Sequence, residues 1–512
     1  MRFLILLSAL VSLGSPTMAA ASPAIDLIMN DPTQFDKPLD DCSAEHCKAA
    51  LRVIDGAKET LDVAIYGMRN QTAIFDALVR AKKRGVTIRI VVDKDVENVN
   101  YYSSTPKLEQ MFQGTVRSDY DSDLRTQANK KAYDPTTARC KNPVGFDGPA
   151  QCLGYDLGET CLVSVHAARG DLKFKGDIMH NKYMVADQQM VWMGSTNLSD
   201  SGTGGYNANL VVVFNNADIG RWFTEEFHQM YELKRYHGDK HGTGERRTVK
   251  LDANTTVDVL FSPQDSPIEK NVRPLIQRAK REIDIAVFFL TNKGIAGDLI
   301  AAHQRGVKVR VLLDATSAKN GYTKHEILRA AGIPVKIENW GGKMHMKSAV
   351  IDDFHTIVGS MNWTSAGDRS NDENTAIIHS KAIASEYSQS FEKMWRTVPD
   401  KWLAGRPDPE SLDSTTSCFD GVDNDFDHAP DSEDPGCSGH PPALPDLPPH
   451  TVVPKGDGNG LIKAIVKQDG YKIFYSPQSR YYTRTLVDED KGGRWFCSEG
   501  AAWDAGFRRS RQ

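Results

Sequence analysis

The chain has 512 residues, with 62 lysines and arginines against 67 aspartates and glutamates, so its formal net charge is −5. With a pI near 6.3, the chain falls outside the strongly basic class of nucleic-acid-binding proteins, although a single cleft can still be basic. Beyond the N-terminal run, no stretch is long and apolar enough for us to expect a membrane span.

The chain begins with the pattern of a secretory signal peptide. Arg2 precedes the apolar run 3–13, and Ala19-Ala20-Ala21 precedes Ser22. This run is too short to span a bilayer. We therefore predict a signal peptide at residues 1–21 and a secreted or periplasmic protein.

The eight cysteines suit the oxidising compartment that a signal peptide implies. Cys42 and Cys47 are close enough in sequence for a local disulfide, and Cys418 and Cys437 frame a loop that a second disulfide would close. The sequence leaves the pairing of the other four open: Cys140, Cys152, Cys161 and Cys497.

An internal duplication follows. Residues 61–66 (LDVAIY) match residues 283–288 (IDIAVF), and residues 84–93 match residues 305–314. In the first copy, apolar residues recur at helical spacing between the two segments, with Lys82, Lys83 and Arg84 in the last turn and Gly85 at the expected C-cap. Each copy therefore predicts strand, helix, strand, and the short Val- and Ile-rich strands indicate an α/β fold with mostly parallel sheets flanked by helices.

The duplication predicts a first domain at residues 22–245 and a second at residues 246–400, packed around one shared site. The first domain carries an insertion, about 96–175, that the second lacks. A loop this long beside a site is usually functional or tied down. It is either a lid or wall of the substrate cleft, or a disulfide-braced excursion of the surface.

Each copy contains the same chemical motif once. His180, Lys182 and Asp187 are matched in type and spacing by His345, Lys347 and Asp352. After an apolar stretch, Gly-Ser-x-Asn follows in both copies, which supplies Ser195, Asn197, Ser360 and Asn362. Phosphodiester cleavage needs cationic and hydrogen-bonding donors around the phosphoryl oxygens and a proton source at the leaving oxygen, and these residues can supply both. Since one imidazole must be neutral and the other protonated, we expect a bell-shaped pH profile.

The paired motifs resemble the signature of the phospholipase D superfamily, His-x-Lys-x4-Asp followed by Gly-Ser-x-Asn, and the resemblance spans about residues 42–395. It implies a two-step displacement in which one histidine forms a phosphohistidine and the other acts as general acid. It also implies no catalytic metal or other cofactor, and a monomer, because both motifs lie in one chain. The implied catalytic residues are His180, His345, Lys182, Lys347, Asp187, Asp352 and Glu373; those implied to bind the substrate phosphate are Ser195, Asn197, Ser360 and Asn362.

One position distinguishes the two copies. Counted from the motif asparagines, Glu373 lies at the same spacing as Ala208. In the superfamily a carboxylate there orients a histidine, so by resemblance Glu373 is expected to serve His345, and His180 has no such partner unless the insertion supplies one. The usual order makes His180 the nucleophile, but a carboxylate on His345 would raise its basicity and leaves the order open.

Composition changes after the duplicated core. Residues 401–455 form a linker rich in Pro, Asp and Ser, and its loop 418–437 resembles the calcium loops of thrombospondin type 3 repeats. Alternating carboxylates with a glycine turn suit a hard cation, so we expect a structural calcium or, alternatively, a merely acidic linker. The residues that would bind it are Asp420, Asp423, Asp425, Asp427, Asp431 and Asp434.

The tail, residues 456–512, is predicted to be a small aromatic and basic module. It resembles the C-terminal module behind some bacterial secreted nucleases, in particular at residues 494–499 and 505–507. Rings beside cations are what single-stranded nucleic acid needs, although small sheets use the same residues for packing. Attachment to a cell surface is the alternative for this module.

The substrate is where the sequence is least informative, because the motif recognises the phosphate and not its substituents. We rank hydrolysis of phospholipid head groups first, as a phospholipase D type reaction yielding phosphatidate and free alcohol. A metal-independent endonuclease that cleaves DNA or RNA comes second, and a non-catalytic polyanion-binding protein third. The expected partners are therefore phospholipid or nucleic acid, with contact to a membrane or cell surface.

Overall fold

The computed structural model describes residues 24–129, 150–156, 160–167, 176–242, 244, 247–320, 322–439, 450–454 and 462–510, the last range with gaps at 468–469, 477–478, 489–490 and 497–498. The predicted signal peptide, Cys140 and Cys497 lie outside the described residues, and only the backbone of Cys152 and Cys161 is described. Both predicted disulfides are confirmed, Cys42–Cys47 and Cys418–Cys437. Among the described helices, none is long and apolar enough to span a membrane.

The first half alternates strands and helices. Its elements are β1 (Ile25–Met29), α1 (Glu45–Gly56), β2 (Thr60–Ile65), β3 (Met68–Arg69), α2 (Thr72–Lys83), β4 (Thr87–Val92), α3 (Thr105–Met111), β5 (Val116–Ser118), α4 (Tyr120–Asn129), β6 (Ala150–Asp156), β7 (Thr160–Ala167), β8 (Lys182–Ala186), β9 (Met190–Gly194), β10 (Leu198–Ser199), β11 (Leu210–Asn215) and α5 (Ala217–Tyr231).

The second half repeats this order. Its elements are β12 (Thr248–Lys250), β13 (Thr256–Ser262), α6 (Arg273–Arg278), β14 (Glu282–Val287), α7 (Lys293–Gln304), β15 (Lys308–Leu313), α8 (Ala315–Ala318), α9 (His325–Ala330), β16 (Val335–Ile337), β17 (Lys347–Ile351), β18 (His355–Gly359), α10 (Ser365–Arg369), β19 (Glu373–His379) and α11 (Lys381–Thr397).

The two main sheets confirm the duplicated α/β fold, but they are mixed rather than mostly parallel. Their strand orders are β1-β11-β9-β8-β2-β4-β5 and β12-β13-β19-β18-β17-β14-β15-β16. Only the strands joined by helical crossovers are parallel: β2 to β4 to β5, and β14 to β15 to β16. The motif strands instead form tight hairpins, β8–β9 and β17–β18, and a hairpin is necessarily antiparallel.

The local sequence explains the crossovers. In α2, Ile74, Phe75 and Leu78 are buried, and basic residues occupy the last turn, as the periodicity predicts. Gly85 then ends the helix with φ +88°, a left-handed conformation that favours glycine, and Gly306 does the same after α7 with φ +90°.

One apolar core joins the halves. It contains rings from both sheets and from α5 and α11, and the stack Tyr183–Phe223–Phe261 crosses from the first half to the second at centroid distances of 4.9 and 5.0 Å. Separate cores lie under α1 and α2 and under α6 and α7. The two halves therefore form one packed body around a shared interface.

The predicted insertion is shorter than expected. Residues 105–118 form α3 and β5, and β5 corresponds to β16 of the second half, so this stretch belongs to the repeated fold. The extra segment follows α4, where the described part is the hairpin β6–β7. The periodicity of the sequence could not distinguish the repeated fold from the extra segment here, because β5 is only three residues long.

The C-terminal region adds two features. Residues 401–438 pack against the second half instead of linking domains freely, since Thr415 pairs with Trp340 and Asn424 donates to the Gly341 carbonyl at 2.8 Å. Beyond β20 (His450–Pro454), which pairs with β7, a small sheet contains β21 (Ile462–Val466), β22 (Lys472–Tyr475), β23 (Arg494–Phe496) and β24 (Arg508–Arg509), together with helix α12 (Glu499–Asp504).

Candidate active site

The two motif histidines lie where the halves are joined by backbone hydrogen bonds. The amide of His180 donates to the carbonyl of Asp372 at 3.0 Å, and the amide of His345 donates to the carbonyl of Ala208 at 2.9 Å. Each histidine directly precedes the motif strand of its own half and contacts the other half. Both are 8% exposed, and the charges of His345 and Lys347 contribute to lowering the pKa of His180, so the two imidazoles lie near each other in one cleft.

Glu373 contacts His180 and not His345, which corrects the assignment made from spacing. Nδ1 of His180 lies 2.9 Å from both carboxylate oxygens of Glu373, whereas Nδ1 of His345 lies 3.1 Å from Oδ1 of Asn209. Each histidine is thus oriented by a residue of the opposite half. Spacing within one copy could not reveal this exchange, because the partner comes from the other copy.

The residue that corresponds to Glu373 is Asn209, not Ala208. The amide of Ser195 donates to the carbonyl of Leu210, and that of Ser360 donates to the carbonyl of Asn374, so Leu210 matches Asn374. The loop before Asn209 is one residue longer than its counterpart, which shifted the count from the motif asparagine. Counting backwards from the following strand would have found Asn209.

The motif serines support these orienting groups rather than a phosphate. Ser195 donates to Oδ1 of Asn209 at 2.9 Å, and Ser360 donates to Oε2 of Glu373 at 2.6 Å. Both serines are fully buried. Their predicted role as phosphate ligands is therefore wrong, and they fix the groups that in turn fix the histidines.

The motif lysines line the cleft beside the histidines. Nζ of Lys182 donates to the carbonyl of His180 at 2.8 Å, and Nζ of Lys347 donates to that of His345 at 2.6 Å. Burial lowers the pKa of Lys182 to about 7 and the pKa of Lys347 well below its usual value. A bound phosphate anion would oppose this effect and favour the charged ammonium groups.

An aromatic ring from each half flanks these groups. Tyr66 follows β2 and meets the ring of His180 edge-on at 5.4 Å, while Phe288 follows β14 and lies 5.2 Å from His345. Tyr101, which is 61% exposed, stacks on Tyr66 at 5.9 Å. The repeat had paired Tyr66 with Phe288, but nothing in the sequence indicated that they flank the histidines.

The motif asparagines also occupy corresponding positions. Asn197 is 8% exposed and Asn362 is partly exposed, and Oδ1 of each is buried without a hydrogen-bond partner. Such unsatisfied polar groups are costly unless a ligand or water meets them. An amide oxygen cannot donate to phosphate, but the side-chain NH₂ group of each asparagine can, so both residues stay candidates for contact with the substrate phosphate.

The motif aspartates lie at the far end of the motif strands, about 16 Å from the lysines at 3.3 Å per residue. Asp187 accepts hydrogen bonds from the backbone amides of Lys58, Glu59 and Thr60, and Asp352 accepts them from the amides of residues 280–282. Both have positive φ, +53° and +56°. They hold the hairpin turn to the preceding loop, so their predicted catalytic role is wrong.

Burial dominates the electrostatics of the first histidine. Burial raises the pKa of Glu373 to about 8 although Lys182 lowers it, and burial lowers the pKa of His180 well below its usual value, with Lys182 and Lys347 lowering it further. Burial therefore favours the uncharged form of both the carboxyl group and the imidazole before substrate binds. Nε2 of His180 has a free lone pair in the tautomer that keeps the ring proton on Nδ1, where the proton is donated to a carboxyl oxygen of Glu373.

The second histidine lies among three lysines. Burial lowers the pKa of His345 well below its usual value, and Lys347, Lys182 and Lys343 lower it further. Its partner Asn209 is uncharged and adds no compensation. An anionic substrate would raise the pKa of His345, so protonation of this imidazole is coupled to phosphate binding.

The acidic loop brings together some of the predicted calcium ligands. Asp425, Asp427 and Asp434 have carboxylate oxygens within 4.8 Å of one another, and Asp423 and Asp425 form a second such group with Glu410, which the sequence analysis missed. Asp420 and Asp431 are used otherwise: Asp420 accepts from Tyr206, and Asp431 accepts from the amide of Gly421 at 3.1 Å. The donor set of oxygens fits a hard cation.

The cleft itself indicates no catalytic cofactor. Its groups are two imidazoles, two amines, amides and one carboxyl. The groups of described residues that could hold a metal lie outside the two motifs. Positive charge at the phosphate would come from the lysines.

Comparisons with known proteins agree with this site. The family described as "Cardiolipin synthase, PLD-like domain" matches residues 50–144, 150–231 and 272–395. Phospholipase D of Rickettsia felis is 36% identical over 135 residues, 26% of this chain and 67% of that protein. Mitochondrial cardiolipin hydrolase of Xenopus tropicalis is 34% identical over 122 residues, 24% of this chain.

The chain spans little more than half, 58%, of the length of that cardiolipin hydrolase. Among solved structures, phosphatidylserine synthase from Haemophilus influenzae superposes with a TM-score of 0.51 at 12% identity, over 75% of this chain and 89% of that one. At this identity the superposition establishes the shared fold and no more.

Proposed function

The chain belongs to the phospholipase D-like family, and from this premise we propose that it is a phosphodiesterase, secreted from the cell, that hydrolyses phospholipid head-group phosphodiesters through a phosphohistidine. The observation that carries the proposal is the pairing of Glu373 with His180 and of Asn209 with His345 in one cleft. It gives the two histidines different chemical surroundings.

The surroundings support a division of roles. Nε2 of His180 has a free lone pair and attacks phosphorus, so that an N–P bond forms as the bond to the leaving oxygen breaks. His345, protonated in the presence of the anionic substrate, gives its proton to the leaving alkoxide. Water then attacks the phosphohistidine, and His345 accepts its proton. Glu373 compensates the positive charge that develops on His180.

A lipid substrate is supported by the names of the relatives, a phospholipase D and a cardiolipin hydrolase. Nuclease activity is the second candidate, and the C-terminal module favours it. Tyr471 and Trp503 are 56% and 45% exposed, and the guanidinium of Arg508 lies 4.7 Å from the Trp503 ring. Three other rings there, Phe474, Trp495 and Phe507, are buried and serve packing.

The experiment offers phospholipid vesicles and plasmid DNA side by side to the purified protein in the presence of a chelator. Release of phosphatidate and head group, lost in His180→Ala and His345→Ala, is the expected result. Nicked DNA with intact vesicles would replace the lipid proposal with the nuclease. If neither substrate is cut at any pH, the polyanion-binding alternative replaces both.

The nucleophile is tested by trapping. The His345→Asn variant is mixed with a substrate that is labelled at phosphorus and has a good leaving group, and the reaction is quenched rapidly without acid. The label should stay on His180, because His180 can still attack such a substrate while hydrolysis of the phosphohistidine by water is slowed. His180→Asn should carry no label. Label on His345 in the His180 variant would reverse the assigned roles.

Secretion is proposed from the signal-peptide pattern and fits the two disulfides, which form and persist in oxidising compartments. We also propose a structural calcium at Asp423, Asp425, Asp427, Asp434 and Glu410, remote from the reacting atoms. Fractionation of the source cells with a cytoplasmic marker tests the compartment; a reduced protein that co-fractionates with the marker would overturn it.

A further inference from the structure

A second group of ionisable side chains lies directly beneath His180. Asp119 follows β5, Asp123 lies in α4, and His237 lies in the segment after α5. The two aspartates are fully buried and His237 is 2% exposed. The reaction described above uses none of the three.

Their distances are those of metal ligands rather than of hydrogen bonds. Nε2 of His237 lies 3.4 Å from Oδ2 of Asp119 and 3.3 Å from Oδ1 of Asp123. Neither ring nitrogen of His237 has a hydrogen-bond partner, and Oδ2 of Asp123 has none either. Ligand atoms about 2.1 Å from a common ion, at tetrahedral angles, are about 3.4 Å apart. Aligned hydrogen bonds between such groups would be about 2.8 Å long.

The surrounding contacts fix these ligands. Nδ1 of His237 faces Oδ2 of Asp372 at 3.2 Å, which is the carboxylate arrangement found behind metal-bound histidines. Oδ1 of Asp119 accepts from the amide of Lys94 at 2.7 Å, and Oδ1 of Asp123 accepts from the amide of Asp177 at 3.1 Å. The three ligand side chains are therefore held in place from behind.

The cluster also has an excess of negative charge. Asp93 lies beside Asp119, and both accept from the amide of Met179, at 2.9 and 3.1 Å. Among the described side chains, the cations that pair with Asp119, Asp123 and Asp372 are His237 and Lys240, and Lys240 is shared with Glu226. Buried carboxylates are stable only when such charge is compensated.

The second half compensates its buried carboxylates in a different way. Asp314 and Glu338 follow β15 and β16, as Asp93 and Asp119 follow β4 and β5. Burial raises the pKa of both carboxyls, and the positive charge of Lys343 opposes this rise. The first half has an imidazole and a third carboxylate there in place of the lysine. Imidazole nitrogen with carboxylate oxygen is a donor set that binds zinc.

We propose that Asp119, Asp123 and His237 form a buried zinc-type divalent cation site. It braces the segment before His180 through Met179, whose amide bonds Asp119, and it supports Asp372, next to Glu373. The ion lies beneath His180 and contacts no reacting atom, so its role is structural.

The test measures zinc directly. The full chain is produced with added zinc, purified in excess calcium to saturate the acidic loop, and analysed for metal content by mass spectrometry. One zinc per chain is expected for the wild type and for Asp121→Asn, an exposed aspartate on the same helix, and none for Asp123→Asn. Refolding in chelator should lower the melting temperature, and ZnCl₂ alone should restore it.

Asp123→His separates the site from a network of ion pairs around protonated His237. Histidine keeps a metal ligand but removes the negative charge, so this variant should retain zinc and its thermal shift. The proposal is wrong if the purified wild-type protein contains no zinc and its melting temperature does not change when ZnCl₂ is added. These readouts do not depend on activity and stay informative whichever substrate the enzyme cleaves.

Discussion

At the scale of single residues, the two histidines differ in one neighbour. His180 faces a carboxyl group and His345 faces an amide, although the motifs around them are nearly identical. A carboxylate stabilises the imidazolium-like charge of a phosphohistidine, whereas an amide orients the ring without adding charge. Under the proposed mechanism, this asymmetry favours His180 of the first half as the nucleophile.

Replacing Glu373 tests this assignment. Glu373→Gln keeps a hydrogen-bond acceptor for Nδ1 but can never become a carboxylate, so it cannot compensate the positive charge that develops on His180, and kcat should fall roughly 100-fold or more. Asn209→Ala is the matched comparison, because it removes the uncharged partner of His345, and it should cost about tenfold. Equal losses in the two variants would contradict the assignment.

The same substitution should change how stability depends on pH. Burial raises the pKa of Glu373 to about 8 in the fold from an ordinary value of 4.5, and it lowers the pKa of His180 below its ordinary value of 6.5. Between pH 4.5 and 6.5 these two effects oppose each other, but between pH 6.5 and 8 the folded state keeps a proton that the unfolded state has released. The free energy of unfolding therefore falls as pH rises through this window, by up to about 1.4 kcal/mol per unit. Urea denaturation at pH 5 and pH 8 should find this fall reduced in Glu373→Gln.

Lys343 should set the alkaline limb of the pH profile. Its charge contributes to lowering the pKa of His345. The acid must be protonated in the enzyme–substrate complex, so kcat declines as pH rises above the pKa of His345 in that complex. Lys343→Gln removes a positive charge, raises that pKa, and should move the alkaline limb to higher pH. Lys280→Gln, on the surface, is the control; a limb that does not move would exclude His345 as the acid.

At the scale of elements, the acidic loop is attached to the catalytic half. Lys319 pairs with Asp408 and with Asp425, and Asn424 accepts from Lys343 at 3.0 Å, two residues before His345. Ordering of this loop is therefore coupled to the segment that carries the general acid. Sequence composition alone suggested an independent linker.

Calcium removal should weaken this element without abolishing chemistry. A ligand present at 100 times its Kd stabilises the fold by about 2.7 kcal/mol, so chelation should lower the melting temperature by several degrees. Calorimetric scans with and without calcium measure this shift in melting temperature. Asp425→Asn should lose the response, whereas the exposed Glu433→Gln should keep it. A response that survives in Asp425→Asn would place the ion elsewhere.

At the scale of the whole molecule, the site exists only where the halves meet. His180 depends on Glu373, and His345 depends on Asn209, so neither half alone contains a complete set of groups. The common core around α5 and α11 holds this interface together. We therefore expect the duplicated region to unfold in one transition.

Phe223→Ala tests the coupling, because its ring joins Tyr183 of the first half to Phe261 of the second. Loss of this buried ring should lower the free energy of unfolding by about 3–5 kcal/mol and keep a single calorimetric transition. Leu233→Ala, an exposed residue just after α5, should stay within about 0.5 kcal/mol of wild type. A Phe223→Ala variant that unfolds in two steps would mean that the halves are independent.

Periodicity and repetition were enough to predict the duplicated α/β fold, the two histidines and lysines, and both disulfides. These features are encoded locally, in strand and helix patterns and in spacings within one copy. The parallel strands were overestimated, because the residues that make a hairpin turn, such as Asp187 and Gln188, give no strong turn signal.

The sequence by itself determined that each copy carries one histidine and one lysine suited to a phosphate, because residue type fixes what a side chain can donate or accept. Only the tertiary structure decided which histidine meets Glu373, that the serines and aspartates of the motifs are structural, and that Asp119, Asp123 and His237 meet. These contacts join residues up to 193 positions apart, across two copies of one fold. Packing decides which residues of the two copies meet, and no sequence pattern within one copy encodes that packing.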